Sequence, residues 1–171
     1  MSQSLVVGPF QCSMANVVLP MGLNLDRVRL SGEGLRVAVE PFAIAAPKAG
    51  DLEVIVFQAS LAAFLNKKQP GGLRDIEVEL KEGRVYVTGT KRVLIDVRAN
   101  AVCLLRVVEG TKIFVEVESV DLLGAGAKNL MQSQLDQMNP VLDLREFPVN
   151  ATIESLHIAG GSMTLRGKIA P

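Results

Sequence analysis

Apolar and polar residues alternate with a period of two along most of the chain, which is the pattern of strands with one buried face. Residues 93–100 and 111–120 both show this alternation. Glu109 and Gly110 form a turn signal between two such runs, which predicts that residues 101–108 and 111–120 pair as a hairpin.

Three further segments share one pattern, in which an apolar-x-apolar stretch, a turn containing glycine and a second apolar-x-apolar stretch follow one another. The turns fall at residues 31–34, 81–84 and 159–162. Glycine supplies the positive φ that such turns often need. Each segment therefore predicts an antiparallel hairpin, with strands on either side of its turn.

Two segments have the periodicity of a helix. In residues 57–68 the apolar side chains recur at i, i+4, i+7 and i+8, and Pro70 with the two glycines after it ends the segment. Residues 126–139 predict a second, longer helix that ends or kinks at Asn139, before Pro140. The two apolar faces are Phe57, Leu61, Phe64 and Leu65 in the first helix, and Ala127, Leu130, Met131, Leu135 and Met138 in the second.

This order of elements predicts an α+β fold, with a large curved antiparallel sheet wrapped around one longer and one shorter helix. No β-α-β alternation occurs, so a parallel sheet is disfavoured. The length of 171 residues fits a single domain, residues 1–171, although residues 1–24 predict only short extended pieces. A sheet of this length has to twist and curl, and a curled sheet that holds a helix forms an apolar trough.

Composition and charge exclude several classes of function. Eighteen basic residues balance eighteen acidic ones, aromatic residues make up 4%, and there is no Trp, so a nucleic-acid partner is not expected. One His and two Cys leave little material for a zinc centre or a histidine-based acid–base site. His157 lies in a predicted strand and is interpreted as a surface residue. We therefore expect no cofactor, no metal and no enzymatic activity.

Glycines precede the second predicted helix, at Gly124 and Gly126. Such a loop can hold a phosphate at a helix N-terminus. Asn129 stands where the third glycine of the nucleotide fingerprint would be, and the sequence contains no GK[ST] motif. We interpret the segment as a tight strand-to-helix turn.

The N-terminus lacks the basic region and the apolar stretch of a signal peptide. The longest apolar stretch, about residues 52–65, contains Glu53 and is too short to span roughly 30 Å of hydrocarbon. These features predict a cytoplasmic or peripheral-membrane location. Cys12 and Cys103 are far apart in apolar contexts, which favours free thiols.

Basic residues are dense in the middle of the chain. They could form a rim that meets anionic lipid headgroups, or they could be ordinary solubilising charges among Glu77, Glu79 and Glu82. Both interpretations stay open. The residues concerned are Lys67, Lys68, Arg74, Lys81, Lys91, Arg92 and Arg98.

Several short motifs in the second part of the chain point to a family. Ser-Leu-Ala-Ala-Phe-Leu at 60–65, Asn-Pro-Val-Leu-Asp-Leu at 139–144 and Phe-Pro-Val at 147–149 stand in the same order around a Gly-bounded hairpin at 83–89. Over about residues 52–170 this pattern resembles the LmeA-like phospholipid-binding family. That family is found mainly in bacteria and is similar to the tubular lipid-binding folds, in which a curved sheet wraps a helix beside an apolar groove. The resemblance implies phospholipid binding without catalysis.

We therefore expect a phospholipid or a fatty acyl chain to lie in a groove between the sheet and the helices, with peripheral membrane contact. The alternative is a structural or interaction protein that forms a homodimer through the same apolar surface and binds no ligand. The expected rim residues are Lys67, Lys68 and Arg74. The expected lining residues are Phe57, Leu61, Phe64, Leu65, Leu130, Met131, Leu135 and Met138.

Overall fold

The structure is a computed structural model and describes residues 4–92, 94–121, 127–147 and 149–169. Within these ranges it contains thirteen strands and two α-helices. The helices are α1 (Gln58–Lys68) and α2 (Ala127–Asp136), and short 3-10 segments occur at Pro70–Gly72 and Leu144–Glu146. The strands are β1 (Ser4–Val7), β2 (Phe10–Val18), β3 (Asn24–Gly32), β4 (Leu35–Ala38), β5 (Ala43–Ala45), β6 (Gly50–Phe57), β7 (Arg74–Lys81), β8 (Arg84–Arg92), β9 (Asp96–Val108), β10 (Lys112–Asp121), β11 (Leu142–Asp143), β12 (Ala151–Ala159) and β13 (Ser162–Ile169).

The strands form three sheets. One five-stranded sheet has the order β11-β10-β9-β8-β7, another has the order β12-β13-β6-β3-β2, and a small sheet has the order β1-β4-β5. All strand pairs within the sheets are antiparallel, and β-bulges in the β9–β10 and β12–β13 pairs help the sheets to curl. The predicted α+β class with curved antiparallel sheet is confirmed, and the strands divide between two main sheets.

Period-two alternation determines which side chains enter the core. In β6 the buried residues include Leu52, Val54 and Val56, while the residues between them are partly or fully exposed. In β9, Ala99, Ala101 and Cys103 are buried in the same way. The inner faces of the two main sheets and one side of each helix thus pack together, and the hydrophobic effect, at about 25 cal/mol per Å² of buried apolar area, stabilises this arrangement.

Three of the four predicted hairpins form. The turns of β7–β8, β9–β10 and β12–β13 each place two consecutive residues at positive φ, as in Glu82 (53°) followed by Gly83 (76°). This is the geometry that joins twisted antiparallel strands through two residues. The hairpin predicted around residues 31–34 is wrong: β3 pairs with β2 and β6, and β4 pairs with β1 and β5. Because both edges of β3 are occupied, β4 has to join another sheet.

Two other expectations change. The alternating run at 93–100 is the beginning of the long strand β9, which starts at Asp96, whereas Val93 lies outside the described residues. Residues 4–18 contain two strands, one of them nine residues long, rather than only short extended pieces.

Helix α1 forms where it is predicted and ends at Gln69, which adopts a left-handed conformation and donates its backbone N–H to the Leu65 carbonyl at 2.7 Å. Helix α2 ends at Asp136, three residues earlier than predicted, and its described ten residues are not longer than the eleven of α1. The amides of Met138 and Asn139 both donate to the Leu135 carbonyl, which closes the helix. The predicted glycine turn at residues 124–126 lies outside the described residues. None of the helices in the described ranges is long and apolar enough to cross a bilayer.

Hairpin turns of the two main sheets meet at one end of the molecule, which we call the turn end. There Gly83 N–H donates to the Ile158 carbonyl at 3.0 Å, and Gly161 N–H donates to the Leu80 carbonyl at 2.9 Å. Helix α1 begins at this end, since Gln58 N–H donates to the Gly161 carbonyl at 3.0 Å. It runs towards the opposite end, where the β8–β9 turn lies; we call this the tip end.

Candidate functional site

An apolar cavity of about 90 Å³ lies between the two main sheets and the two helices; we call it the inter-sheet cavity. The sheet β7–β11 contributes one wall and the sheet containing β6 contributes another. Every side chain that lines it in the described ranges is apolar. The sheet residues are Leu25, Val54, Val56, Val85, Val87, Ala101, Cys103, Leu105, Ile113, Val115, Leu142, Met163 and Leu165. The helix and connecting residues are Leu23, Leu61, Phe64, Leu65, Pro70, Leu73, Met131, Leu135, Met138 and Val141.

Strand pleating builds the sheet walls. Because side chains at i, i+2 and i+4 share one face, Ala101, Cys103 and Leu105 of β9 all face the cavity. Val85 and Val87 do the same on β8. The sequence prediction placed the site only on the helices and missed this wall. The alternation in β9 and β8 was the signal that could have found it.

The structure brings six of the eight predicted lining residues together around the cavity. Helix α1 supplies three of them, α2 supplies two, and the turn that follows α2 supplies Met138. They are Leu61, Phe64, Leu65, Met131, Leu135 and Met138.

Phe57 and Leu130 do not line the cavity. Phe57 is the last residue of β6 and is 46% exposed, because the outward positions of that strand recur every second residue up to the start of α1. Leu130 is 52% exposed, since it lies about 100° around the helix from Met131. Both residues therefore belong to the outer surface.

The three predicted rim residues lie at or just after the end of α1, and all are exposed. The Lys68 ammonium lies 5.8 Å from the ring centroid of Phe64, which lines the cavity. Arg74 begins β7, and its guanidinium lies 3.5 Å from the Asp96 carboxylate of β9. Lys68 is thus adjacent to the cavity wall, whereas Arg74 is engaged with the β8–β9 hairpin.

Two side-chain amides attach the helices to the sheet. Asn66 of α1 accepts from Ile76 N–H and donates to the Ile76 carbonyl, both at 2.8 Å. Asn139, just after α2, makes the same pair of bonds with Val115, at 2.9 and 3.0 Å. Ile76 lies where the β7–β8 register shifts, and Val115, which pairs with Leu105 of β9, lies beyond the two residues of β10 that pair with β11, so these bonds satisfy backbone groups that the neighbouring strands leave over. Sequence reasoning missed Asn66 and identified Asn139 only as the end of the second predicted helix.

The cavity carries no charge. Among the described residues that line it, Cys103 is the only ionisable one, and burial raises the pKa of this thiol to about 11, so that it is protonated at neutral pH. Its described walls contain no carboxylate, ammonium or hydroxyl and offer apolar contacts. His157, on β12, is exposed and lies opposite Thr164, away from the cavity.

The model of one protein family, described as LmeA-like phospholipid-binding, matches residues 10–168 of the 171-residue chain. The chain belongs to the LmeA-like phospholipid-binding family. The family resemblance drawn from the sequence is thereby confirmed, and the LmeA-like region extends further towards the N-terminus than the expected 52–170, so that it includes β2 and β3. No curated protein and no solved structure matches the chain. The LmeA-like family is described by phospholipid binding and by no reaction.

Proposed function

We propose that the inter-sheet cavity binds an acyl chain of a phospholipid or a fatty acid, and that it does so without catalysis. The observation that carries this proposal is the chemistry of the cavity: its described walls come from two sheets and two helices and contain no polar side chain. Apolar clefts formed in this way are the usual sites for apolar ligands. Membership of a phospholipid-binding family supports the same class of ligand.

The size of the cavity limits how a chain enters. An apolar cavity of roughly 150 Å³ accepts benzene, so that about 90 Å³ holds only part of an acyl chain. A longer chain requires one wall to move. Helix α2 is the best candidate, because Leu135 is its only buried residue among those described. Met131 and Met138 can then repack around the chain, since methionine is unbranched and adaptable.

The contribution of the cavity to the affinity should depend on the hydrocarbon alone. Each methylene group that leaves water stabilises the complex by about 0.8 kcal/mol, which corresponds to about a fourfold change in affinity. We therefore expect saturated fatty acids to bind more tightly with each added carbon until the cavity is full. A flat dependence on chain length would argue against an apolar site.

The proposal is tested by displacement of a dansyl-labelled fatty acid from two matched variants of α2. Met131→Glu places a carboxylate in the cavity wall, and we expect at least a tenfold loss of affinity. Leu130→Glu places the same group on the exposed neighbour and should bind as the parent does. Circular dichroism confirms that both variants are folded. Equal affinities for the two folded variants would contradict the cavity assignment.

A headgroup would lie outside the cavity, since the described cavity walls carry no charge. We propose that Lys67 and Lys68, at the end of α1, form the rim that contacts it. Arg74 lies within ion-pair distance of Asp96 of β9, and we therefore assign it to the β8–β9 hairpin rather than to this rim. Lys67→Glu with Lys68→Glu should weaken binding of phosphatidylglycerol and leave binding of a neutral diacylglycerol unchanged. Equal weakening for both lipids would remove these lysines from the rim.

A second candidate function is self-association, favoured by exposed apolar side chains on and beside the small sheet. Leu5 and Val6 of β1 and Val39 and Phe42 near β4 and β5 are all more than half exposed. A second copy of the chain could cover this surface. Sedimentation analysis of the parent and of Phe42→Asp distinguishes the two candidates. A parent dimer that the variant dissociates, together with no fatty-acid binding, would favour the interaction protein.

A further inference from the structure

The β8–β9 turn presents two adjacent apolar side chains to solvent. Leu94 is 92% exposed and Ile95 is 72% exposed, the highest values among the large apolar residues of the described ranges. Single exposed apolar residues are common on protein surfaces, whereas contiguous exposed apolar side chains mark interaction sites.

The turn projects beyond the neighbouring strand. Arg74, the first residue of β7, pairs with Thr90 of β8. The β8–β9 pairing continues past that point through Lys91 opposite Val97 and Arg92 opposite Asp96. At roughly 3.3 Å per residue, the paired part of the hairpin extends about 7 Å beyond β7, with Leu94 and Ile95 further out.

Basic residues surround the base of this turn. The residues of β7, β8 and β9 next to it include four basic side chains and two acidic ones, although the whole chain has a formal net charge of zero. A carboxylate oxygen of Asp96 lies 3.5 Å from a guanidinium nitrogen of Arg74 and 4.0 Å from one of Arg92. These ion pairs hold both guanidinium groups close to the turn. The four basic residues, which we call the basic collar, are Arg74, Lys91, Arg92 and Arg98.

We propose that the β8–β9 turn is a docking site for a bilayer that contains anionic phospholipid. Leu94 and Ile95 enter the interface between the headgroups and the acyl chains, and the basic collar contacts the phosphates. A small apolar tip above a ring of positive charge is complementary to such a surface, where each basic residue strengthens binding about fivefold.

The position of the tip connects docking with the cavity. Helix α1 finishes at the tip end of the molecule, and the segment that follows it places Pro70 and Leu73 in the cavity wall. Docking through Leu94 and Ile95 therefore brings this end of the cavity towards the bilayer. The inference rests on the proposed function only for the choice of a phospholipid surface as the partner.

Tryptophan fluorescence gives a direct test, because the chain contains no Trp. Leu94→Trp places a single reporter at the tip, and Phe42→Trp places a matched reporter at an exposed site next to the small sheet. With vesicles of phosphatidylcholine and phosphatidylglycerol, we expect a blue shift and quenching by acyl-chain-brominated lipid for Leu94→Trp only. No response from Leu94→Trp, or equal responses from both variants, would overturn the proposal.

The charge contribution is tested with the same vesicles. Lys91→Glu with Arg98→Glu should lower the affinity for phosphatidylglycerol-containing vesicles at least about twentyfold, and high salt should have a similar effect on the parent. An unchanged affinity would show that the collar does not contact phosphates and would overturn that part of the proposal.

Failure of docking and failure of the cavity are separable. Displacement of the dansyl-labelled fatty acid in solution, without vesicles, measures the cavity alone. If Leu94→Trp inserts while the parent binds no fatty acid, docking stands and the proposed function fails. If fatty acid binds while Leu94→Trp stays in water, the proposed function stands and the docking site is wrong.

Discussion

Ala101→Ile is a substitution whose effects on stability and on binding should have opposite signs. Ala101 lies in the middle of β9, is 5% exposed and faces the inter-sheet cavity. Isoleucine suits a strand and adds three carbon atoms at this position. Those atoms would occupy the space that we assign to an acyl chain.

The size of the effect on stability follows from the volume of the cavity. About 90 Å³, at about 24 cal/mol per Å³ of cavity, limits the gain in unfolding free energy to about 2 kcal/mol. Three buried carbon atoms at about 0.8 kcal/mol each give a similar limit. Since some rotamer strain is unavoidable in a packed core, we expect a net gain of about 1 kcal/mol.

Ala99→Ile is the matched control. Ala99 lies on the same face of the same strand and is 2% exposed, but it does not line the cavity. It pairs with Gly89, at which an added Cβ would already lie 3.2 Å from the Arg74 carbonyl oxygen and 3.3 Å from Ile76. The same three carbon atoms should overpack this region and lower the unfolding free energy by about 1–3 kcal/mol.

Urea unfolding followed by circular dichroism measures both stabilities, and displacement of the dansyl-labelled fatty acid measures binding. We expect Ala101→Ile to be at least as stable as the parent and to bind fatty acid at least tenfold more weakly. Ala99→Ile should be less stable but should bind as the parent does while folded. If Ala101→Ile loses as much stability as Ala99→Ile, the cavity does not have the stated volume. If it gains stability and binds normally, the acyl chain lies elsewhere.

Three further predictions concern Cys103, Cys12 and Asn66. Burial raises the pKa of the Cys103 thiol from 9.0 to about 11, so between these values the folded state holds a proton that the unfolded state releases. The parent should therefore lose about 2 kcal/mol of stability relative to Cys103→Ala as the pH rises from 9 to 11. Urea unfolding of both proteins measures this loss, and parallel curves would contradict it. A thiol reagent at neutral pH should modify exposed Cys12 quickly and buried Cys103 slowly. Saturating fatty acid should slow only the modification of Cys103. Mass spectrometry of the parent and of Cys12→Ser follows both reactions. Asn66→Ala should lower the unfolding free energy by about 1–3 kcal/mol, because it removes both hydrogen bonds to the Ile76 backbone. Thermal and urea unfolding measure this loss. A loss below about 0.5 kcal/mol would show that the protein does not need these bonds for its stability.

Local signals made part of the fold predictable. Helix α1 and the turns at Gly83 and Gly161 follow from short sequence patterns, and each occurs where it was predicted. Sheet assignment could not be obtained in this way, because it depends on strands far apart in the chain. Glu53 of β6, for example, pairs with Arg166 of β13, 113 residues later. The failed hairpin after β3 has the same cause.

The candidate site was partly predictable where one periodicity holds over the element, although Leu130 of α2 was predicted to line the cavity and lies outside it. Met131 and Leu135 lie on one face of α2, Met138 lies in the turn after it, and all three line the cavity. Phe57 stands where strand periodicity changes to helical periodicity, so its position in the helical pattern was misleading. The small residue Ala101 gave no sign of its importance, because alternation identifies a buried face but cannot show which part of that face adjoins empty space.

The most direct test of acyl-chain binding in the inter-sheet cavity is photo-cross-linking with a fatty acid that carries a diazirine near its methyl end. After irradiation and digestion, mass spectrometry locates the label. We expect it on peptides of α1, β9 and α2, at residues such as Leu61, Cys103 and Met131, and we expect excess unlabelled fatty acid to suppress it. Label confined to the exposed small sheet around Phe42, and not reduced by the competitor, would contradict binding in the cavity.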